Sequence, residues 1–154
     1  MYKICFVCHG NICRSTMAEF VMKDLLEKTG LSEEVAVISR GCSAEEVGSD
    51  TYPDTKAILR KYNIPFSSRH ARKLSADDYA ASDLILGMDA SNMRLLDRLT
   101  EGDPANKNRL FLSLVGEHRD VRDPWYSGNF EETYRDVKKG CEALLEKYKK
   151  GGKI

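Results

Sequence analysis

Apolar residues along this chain switch between strand-like and helix-like spacing, and the switching predicts the architecture. Ile4 to Val7 is a short continuous apolar run that ends at Cys8. After a turn, Ala18, Val21, Met22, Leu25 and Leu26 fall at helical spacing, with Gly30 as a stop. Val35 to Ser39 is β-branched and reads as a second strand, and Gly41 to Gly48 reads as an exposed loop. Pro53-Asp54 opens a helix through Ile58 and Leu59 that ends near Asn63 and Pro65. Ser67 to Lys73 is basic and irregular. Ser75, with an acid three residues on, marks the next helix start. Asp83 to Gly87 is predicted as a third strand, Asp89 to Leu99 as a helix, and Arg109 to Leu112 as a fourth strand. Asp123-Pro124-Trp125-Tyr126 reads as a loop. Phe130 to Lys150 reads as a long helix with Tyr134, Val137, Cys141, Leu144, Leu145 and Tyr148 on one face, and the tail from Lys149 to Lys153 is expected to fray.

Strands alternating with helices predict an α/β fold, one domain over residues 1–154, with a four-stranded parallel twisted sheet and helices on both faces. In such sheets ligands bind at the carboxyl ends of the strands, which is where Cys8 falls.

Composition narrows the partners. Lys plus Arg and Asp plus Glu number 24 each, so no bulk positive charge favours nucleic acid. No apolar stretch is long enough for a signal peptide or a membrane span. The five cysteines, at 5, 8, 13, 42 and 141, show neither disulfide-framework nor zinc-ligand spacing. His9, His70 and His118 lack ligand spacing as well. The expectation is a cytoplasmic protein, monomer or weak dimer, with no metal, cofactor, nucleic acid or membrane partner.

The chemistry gathers at Cys8-His9-Gly10-Asn11-Ile12-Cys13-Arg14-Ser15. A strand, a tight turn and a helix start aim backbone N–H groups into one concavity, and the helix dipole adds to its pull on anions. A cysteine there is favoured as thiolate, the nucleophilic form. The loop amides are predicted to wrap the oxygens of a phosphate, with the planar fork of Arg14 closing the ring. Ser15 is placed to donate its hydroxyl to the thiolate. Gly10 and Asn11 suit a turn that needs positive φ. Cys5 and Cys141 fall on apolar faces and read as packing; the pattern leaves Cys42 undecided. A poor leaving group such as a phenolate needs a proton donor, and Asp123, beside Trp125 and Tyr126 as a wall for a flat substrate, is the candidate.

The loop from Cys8 to Ser15, the run from Asp83 to Asp89 with Asn92, and Asp123-Pro124-Trp125-Tyr126 before a final helix together resemble the low-molecular-weight protein tyrosine phosphatases, over essentially the whole chain. The resemblance implies a phosphocysteine on Cys8, phosphoryl oxygens held by Arg14 and the loop, and Asp123 as general acid and then base. It implies supporting places for Asn11, Ser15, Ser39 and Asp89. It also implies Cys13 as a redox partner that can form a reversible disulfide with Cys8. Three positions depart from the family pattern: Thr16 replaces a usual proline, Arg69 a usual histidine, and Glu45 an aromatic wall residue of some members. Glu45 opposite Trp125 and Tyr126 predicts a preference for basic residues flanking the phosphotyrosine.

Other readings remain at this stage. Arsenate reductases of this scaffold need a downstream cysteine pair, and no cysteine lies between Cys42 and Cys141. Protein-arginine phosphatases resemble the chain but carry threonine at the position of Ile12, whose bulk suits a phenyl ring better than a phosphoguanidinium. A phosphopeptide-binding module has no use for both Cys8 and Asp123, and a phosphocysteine carrier has none for Arg14. The expected partners are phosphotyrosine-containing proteins.

Overall fold

A computed structural model of the chain, which describes residues 1–151 and 154, is built around its first strand. This strand, β1 (Tyr2–Cys8), pairs in parallel with β2 (Val35–Gly41) on one side and β3 (Leu84–Gly87) on the other. With β4 (Asn108–Leu110) the sheet is four-stranded, wholly parallel and ordered β2-β1-β3-β4. The continuous apolar run of β1 now has its reason. Ile4, Phe6 and Cys8 pack into one core, while Cys5 and Val7 pack into another on the opposite face.

The helices divide between those faces. On the larger core lie α1 (Arg14–Lys28), α2 (Pro53–Lys61) and α6 (Phe130–Gly151). On the smaller lie α3 (Ala76–Ala81) and α4 (Ala90–Leu99), whose Tyr79 and Leu96 meet Val7 and Ile85. Ser75 caps α3 in a reciprocal capping box with Asp78, as its sequence predicts. The stripe on α6 is buried through Leu145, with Tyr148 packed at its edge.

Four expectations need correction. First, β2 continues through Arg40 to Gly41, because Gly41 pairs with Cys8 and bridges to Lys73. Second, β4 ends at Leu110 and the chain tightens into a 3-10 helix, Phe111–Val115. That turn puts Phe111 edge-on to Phe6, with ring centroids 5.5 Å apart. It also sets the ring over Gly140 of α6, where a Cβ would lie 2.2 Å from it. Third, Pro124–Ser127 is a one-turn helix, α5, rather than a loop. Asp123 is its N-cap and Pro124 its first residue, a pairing that favours a helix start. Fourth, α6 holds through Lys149 and Lys150 to Gly151; residues 152 and 153 of the expected fraying tail lie outside the described residues. No helix among the described residues is long and apolar enough to cross a membrane.

Candidate active site

The loop between β1 and α1 sits where the strand order reverses, between β1 and β3, the usual ligand position in such sheets. Asn11 takes the left-handed turn, at φ 59°. Gly10 does not, which corrects the expectation for it. Its lack of a side chain instead admits Glu46, whose Cγ would lie 3.2 Å from a Cβ there. Gly41 is constrained more strongly: a Cβ would stand 2.9 Å from the His9 carbonyl oxygen. The end of β2 is thus pressed against the backbone of the loop. No side chain caps α1 and no acid occupies its first turn, so its leading N–H groups keep their pull on an anion.

Behind the loop the buried side chains form one hydrogen-bond network. Asn11 Oδ1 accepts from the Arg72 main-chain N–H at 3.0 Å and from the Arg69 guanidinium. That fixes its amide orientation, and Nδ2 donates to Ser15 Oγ and to Ser39 Oγ, both at 2.9 Å. Each serine keeps a single hydroxyl hydrogen. Ser39 gives its own to Glu19 Oε1 at 2.5 Å, and Ser15 Oγ lies 3.0 Å from Cys8 Sγ, where its hydrogen is available to a Cys8 thiolate. Asn11, Ser15 and Ser39 are all nearly inaccessible to solvent. Arg69, which replaces the family's usual histidine, therefore enters this network from the far side.

Arg14 is 2% exposed although it carries a full charge. Its Nη1 donates to Asp89 Oδ2 at 2.6 Å and to the Val121 carbonyl at 2.9 Å. Its Nη2 lies 3.4 Å from Asp123 Oδ2. Burial acts to lower its pKa, but Cys8, Asp89 and Asp123 together hold it above the ordinary guanidinium value. Asp89 is itself fixed as the N-cap of α4, accepting from Asn92 N–H at 2.7 Å. Asp123 accepts from the Trp125 N–H at 3.0 Å through its other oxygen and keeps a quarter of its side chain exposed. Two carboxylates from distant segments thus meet one guanidinium.

A cavity of about 250 Å³ opens above Cys8. Its floor and one side are Cys8, Cys13, Arg14 and Ile12; Asp123, Trp125 and Tyr126 stand on another side, and His9, Gly10, Glu45 and Glu46 on the rim. The predicted substrate-pocket residues are therefore together. The predicted supporting residues Asn11, Ser15, Ser39 and Asp89 lie around them without lining the cavity. His9 Nε2 pairs with Glu45 Oε2 at 3.2 Å in the open rim. Burial pushes the Cys13 thiol up to about 12, with Cys8 adding to the effect, so Cys13 is neutral near pH 7. Cys42 is buried on the other face and is likewise pushed up to about 12, mainly by burial.

The sequence pattern did not reveal Glu19, Glu46, Gly41, the Val121 carbonyl or Tyr52. Tyr52 packs edge-on against Trp125 with centroids 5.1 Å apart and stacks on Phe130, which steadies the aromatic side of the cavity. A proline directly after Tyr52 is the only local sign of its place.

Known proteins share this sequence pattern and fold. The family described as "Low molecular weight phosphotyrosine protein phosphatase" matches residues 3–153. The low molecular weight protein-tyrosine-phosphatase YfkJ of Bacillus subtilis is 38% identical over 97% of each chain. Its crystal structure superposes with a TM-score of 0.93, covering 97% of this chain and 96% of that one. The low molecular weight protein-tyrosine-phosphatase PtpA of Staphylococcus epidermidis is 36% identical over 95% of this chain and 93% of its own. A Drosophila arginine phosphatase shares the fold at 29% identity, with a TM-score of 0.87 over 96% of this chain and 98% of its own. With fold, loop and near full-length similarity in agreement, this chain belongs to the low molecular weight phosphotyrosine protein phosphatase family.

Proposed function

We propose that the protein hydrolyses phosphotyrosine in protein substrates, with Cys8 as nucleophile, Arg14 and the loop amides as phosphate ligands, and Asp123 as general acid and base. The observation that carries this reading is the meeting of Cys8, Arg14 and Asp123 at one cavity of about 250 Å³. The Cys8 thiolate attacks phosphorus in line with the leaving oxygen. The S–P bond forms as the P–O bond breaks, and protonated Asp123 gives its proton to the departing phenolate. Arg14 and the N–H groups of the loop offset the charge on the three equatorial oxygens. Asp123, now a carboxylate, takes a proton from water as that water attacks the phosphocysteine. Phosphate leaves and the thiolate returns, held by the Ser15 hydroxyl.

Ile12 on one side and Trp125 with Tyr126 on the other leave a slot suited to a flat ring. The similarity to an arginine phosphatase supports phosphoarginine as the second reading, and the bulk of Ile12 opposes it. We place the enzyme in the cytoplasm as a monomer or weak dimer, with Cys13 as a partner for oxidised Cys8. Turnover of p-nitrophenyl phosphate, phosphotyrosine and phosphoarginine by wild type, Cys8→Ser and Asp123→Asn tests the proposal. Phosphotyrosine turnover lost in Cys8→Ser and sharply reduced in Asp123→Asn supports it. Phosphotyrosine binding without turnover identifies a binding module instead, and preferred phosphoarginine turnover reverses the substrate assignment.

A further inference from the structure

A second cavity, of about 290 Å³, lies behind the loop and shares no lining residue with the first. Glu19, Ser39, Arg40, Arg69, His70 and Arg72 line it. Three arginines and one acid thus line it, and the carboxylate of that acid is already engaged by Ser39 and Lys23. Arg40 is neutralised by Asp78 at 2.9 Å. The Arg69 guanidinium donates to neutral acceptors, the Asn11 side-chain oxygen and the Ser49 carbonyl, while its main-chain N–H donates to the Asp50 carboxylate at 3.1 Å. The Arg72 guanidinium makes no hydrogen bond or ion pair among the described residues, although its main-chain N–H is bound to Asn11. Arg69 and Arg72 thus line this cavity without an ion pair of their own among the described residues, and its one lining acid, Glu19, is already paired with Lys23. Burial pulls Arg69 below the ordinary guanidinium value in spite of Glu19, Cys8 and Asp50 nearby. The planar forks of two such arginines on one cavity wall match the oxygens of a tetrahedral anion.

We propose that this cavity binds a phosphate-bearing oxyanion, as free phosphate or as a phosphate monoester, and that its occupation slows turnover. The route is the hydrogen-bond network itself. An anion bound by Arg69 and Arg72 competes with Asn11 Oδ1 for the Arg69 donors. Asn11 then loses one of the two bonds that fix its amide, and the hold of Ser15 on Cys8 weakens. A negative charge behind the loop also disfavours the thiolate. Both effects have the same sign. Since phosphate is the product of the reaction proposed above, its free form would make this a product-feedback site separate from the substrate pocket.

Two measurements test this, and Arg72→Ala serves both because it keeps the main-chain N–H that reaches Asn11. In the first, amide and Arg Nε–H resonances are followed by NMR during titration with inorganic phosphate and, separately, with glycerol phosphate. Saturable shifts at residues 39–40 and 69–72, lost in Arg72→Ala while those at 9–15 persist, support the site. The anion that saturates it at lower concentration identifies the source. Absence of saturation below about 10 mM for both anions overturns the proposal. In the second, phosphate inhibits p-nitrophenyl phosphate turnover. A site in the substrate pocket alone raises KM; the second site lowers kcat as well, by about fivefold at saturation. Each protein is referred to its own phosphate-free kcat. Purely competitive inhibition of wild type, or an unchanged kcat effect in Arg72→Ala, overturns the coupling. Slowing presupposes the phosphatase reaction whereas binding does not, so a protein that titrates but never turns over separates the two failures.

Discussion

The two sides of the phosphate loop are built differently. Behind it, Asn11, Ser15 and Ser39 are buried and joined in one hydrogen-bond network that reaches Cys8. In front of it, the rim is open: Glu45 is 71% exposed at its side chain, and Tyr126 is 86% exposed. The contrast follows from what each side does. The nucleophile must be held in one geometry, which a closed polar network in a low-dielectric interior provides. The rim meets varied peptide flanks, and exposed side chains adapt to them at little cost. The contrast predicts that chemistry depends on the buried bonds and peptide selectivity on the solvent-exposed charge.

Substitutions at the reacting atoms sharpen that contrast most. Cys8→Ser is expected to lower kcat on phosphotyrosine by about 10,000-fold or more, since an un-ionised hydroxyl is a far weaker nucleophile and a worse leaving group than the thiolate it replaces. Asp123→Asn keeps the cap on Trp125 through its amide oxygen but cannot give up the proton. A loss of about 100- to 10,000-fold is expected on phosphotyrosine, and less on p-nitrophenyl phosphate, whose leaving group needs the proton less. Equal losses on the two substrates would remove Asp123 as the acid. Neutral iodoacetamide should label Cys8 alone, because burial holds Cys13 and Cys42 up to about 12 and raises Cys5 and Cys141 as well. Only as pH rises toward such values would those thiols ionise, and peptide mass mapping reads the labelled sites.

The next effects lie behind the loop. Asn11→Ala removes donors to two serines and the acceptor for Arg69, leaving buried polar groups unpaired at a cost of about 1–3 kcal/mol. Urea unfolding should show that loss together with a fall in kcat of about tenfold or more. Gly41→Ala acts on the same region by crowding, since its Cβ meets the His9 carbonyl. A loss of about 1–3 kcal/mol is expected, with reduced kcat as the loop is displaced. Normal kcat in both variants would mean that the back of the loop serves stability alone.

These residues also mark how far the sequence could be read. Local patterns showed β1, the helix after it, the capping box at Ser75 and the cysteine-arginine spacing, because each is written in a few consecutive residues. Asp123 could be nominated from the proton the leaving group needs and from its neighbours Pro124, Trp125 and Tyr126, but no local pattern showed that it meets Arg14, 109 positions away in the chain. The partnership of Arg69 with Asn11 and the constraint on Gly41 were invisible for a related reason. They arise where β2 and the basic segment after α2 return to the loop, and no periodicity records such a meeting. The 3-10 helix after β4 was missed because its apolar run, Phe111 to Leu114, has the composition of a strand; only the room left by Gly140 makes the turn.

The smallest expected effect is at the rim, and it tests the other half of the comparison. Glu45 faces solvent and lies 3.2 Å from His9 Nε2, so its carboxylate is weakly held and salt-screened. A basic residue next to the phosphotyrosine can take His9's place on Glu45 without disturbing a buried bond. Wild type should therefore show a lower KM for phosphopeptides with basic flanks than for matched acidic ones. Glu45→Lys should reverse that order. Exposed pairs contribute about 0.2–1 kcal/mol, which corresponds to a change in KM of up to about fivefold, fading as salt is raised. The change belongs in KM because Glu45 makes no hydrogen bond to Cys8, Arg14 or Asp123. A large fall in kcat in Glu45→Lys would show that rim and rear are one mechanical unit, and the separation between selectivity and chemistry would have to be given up.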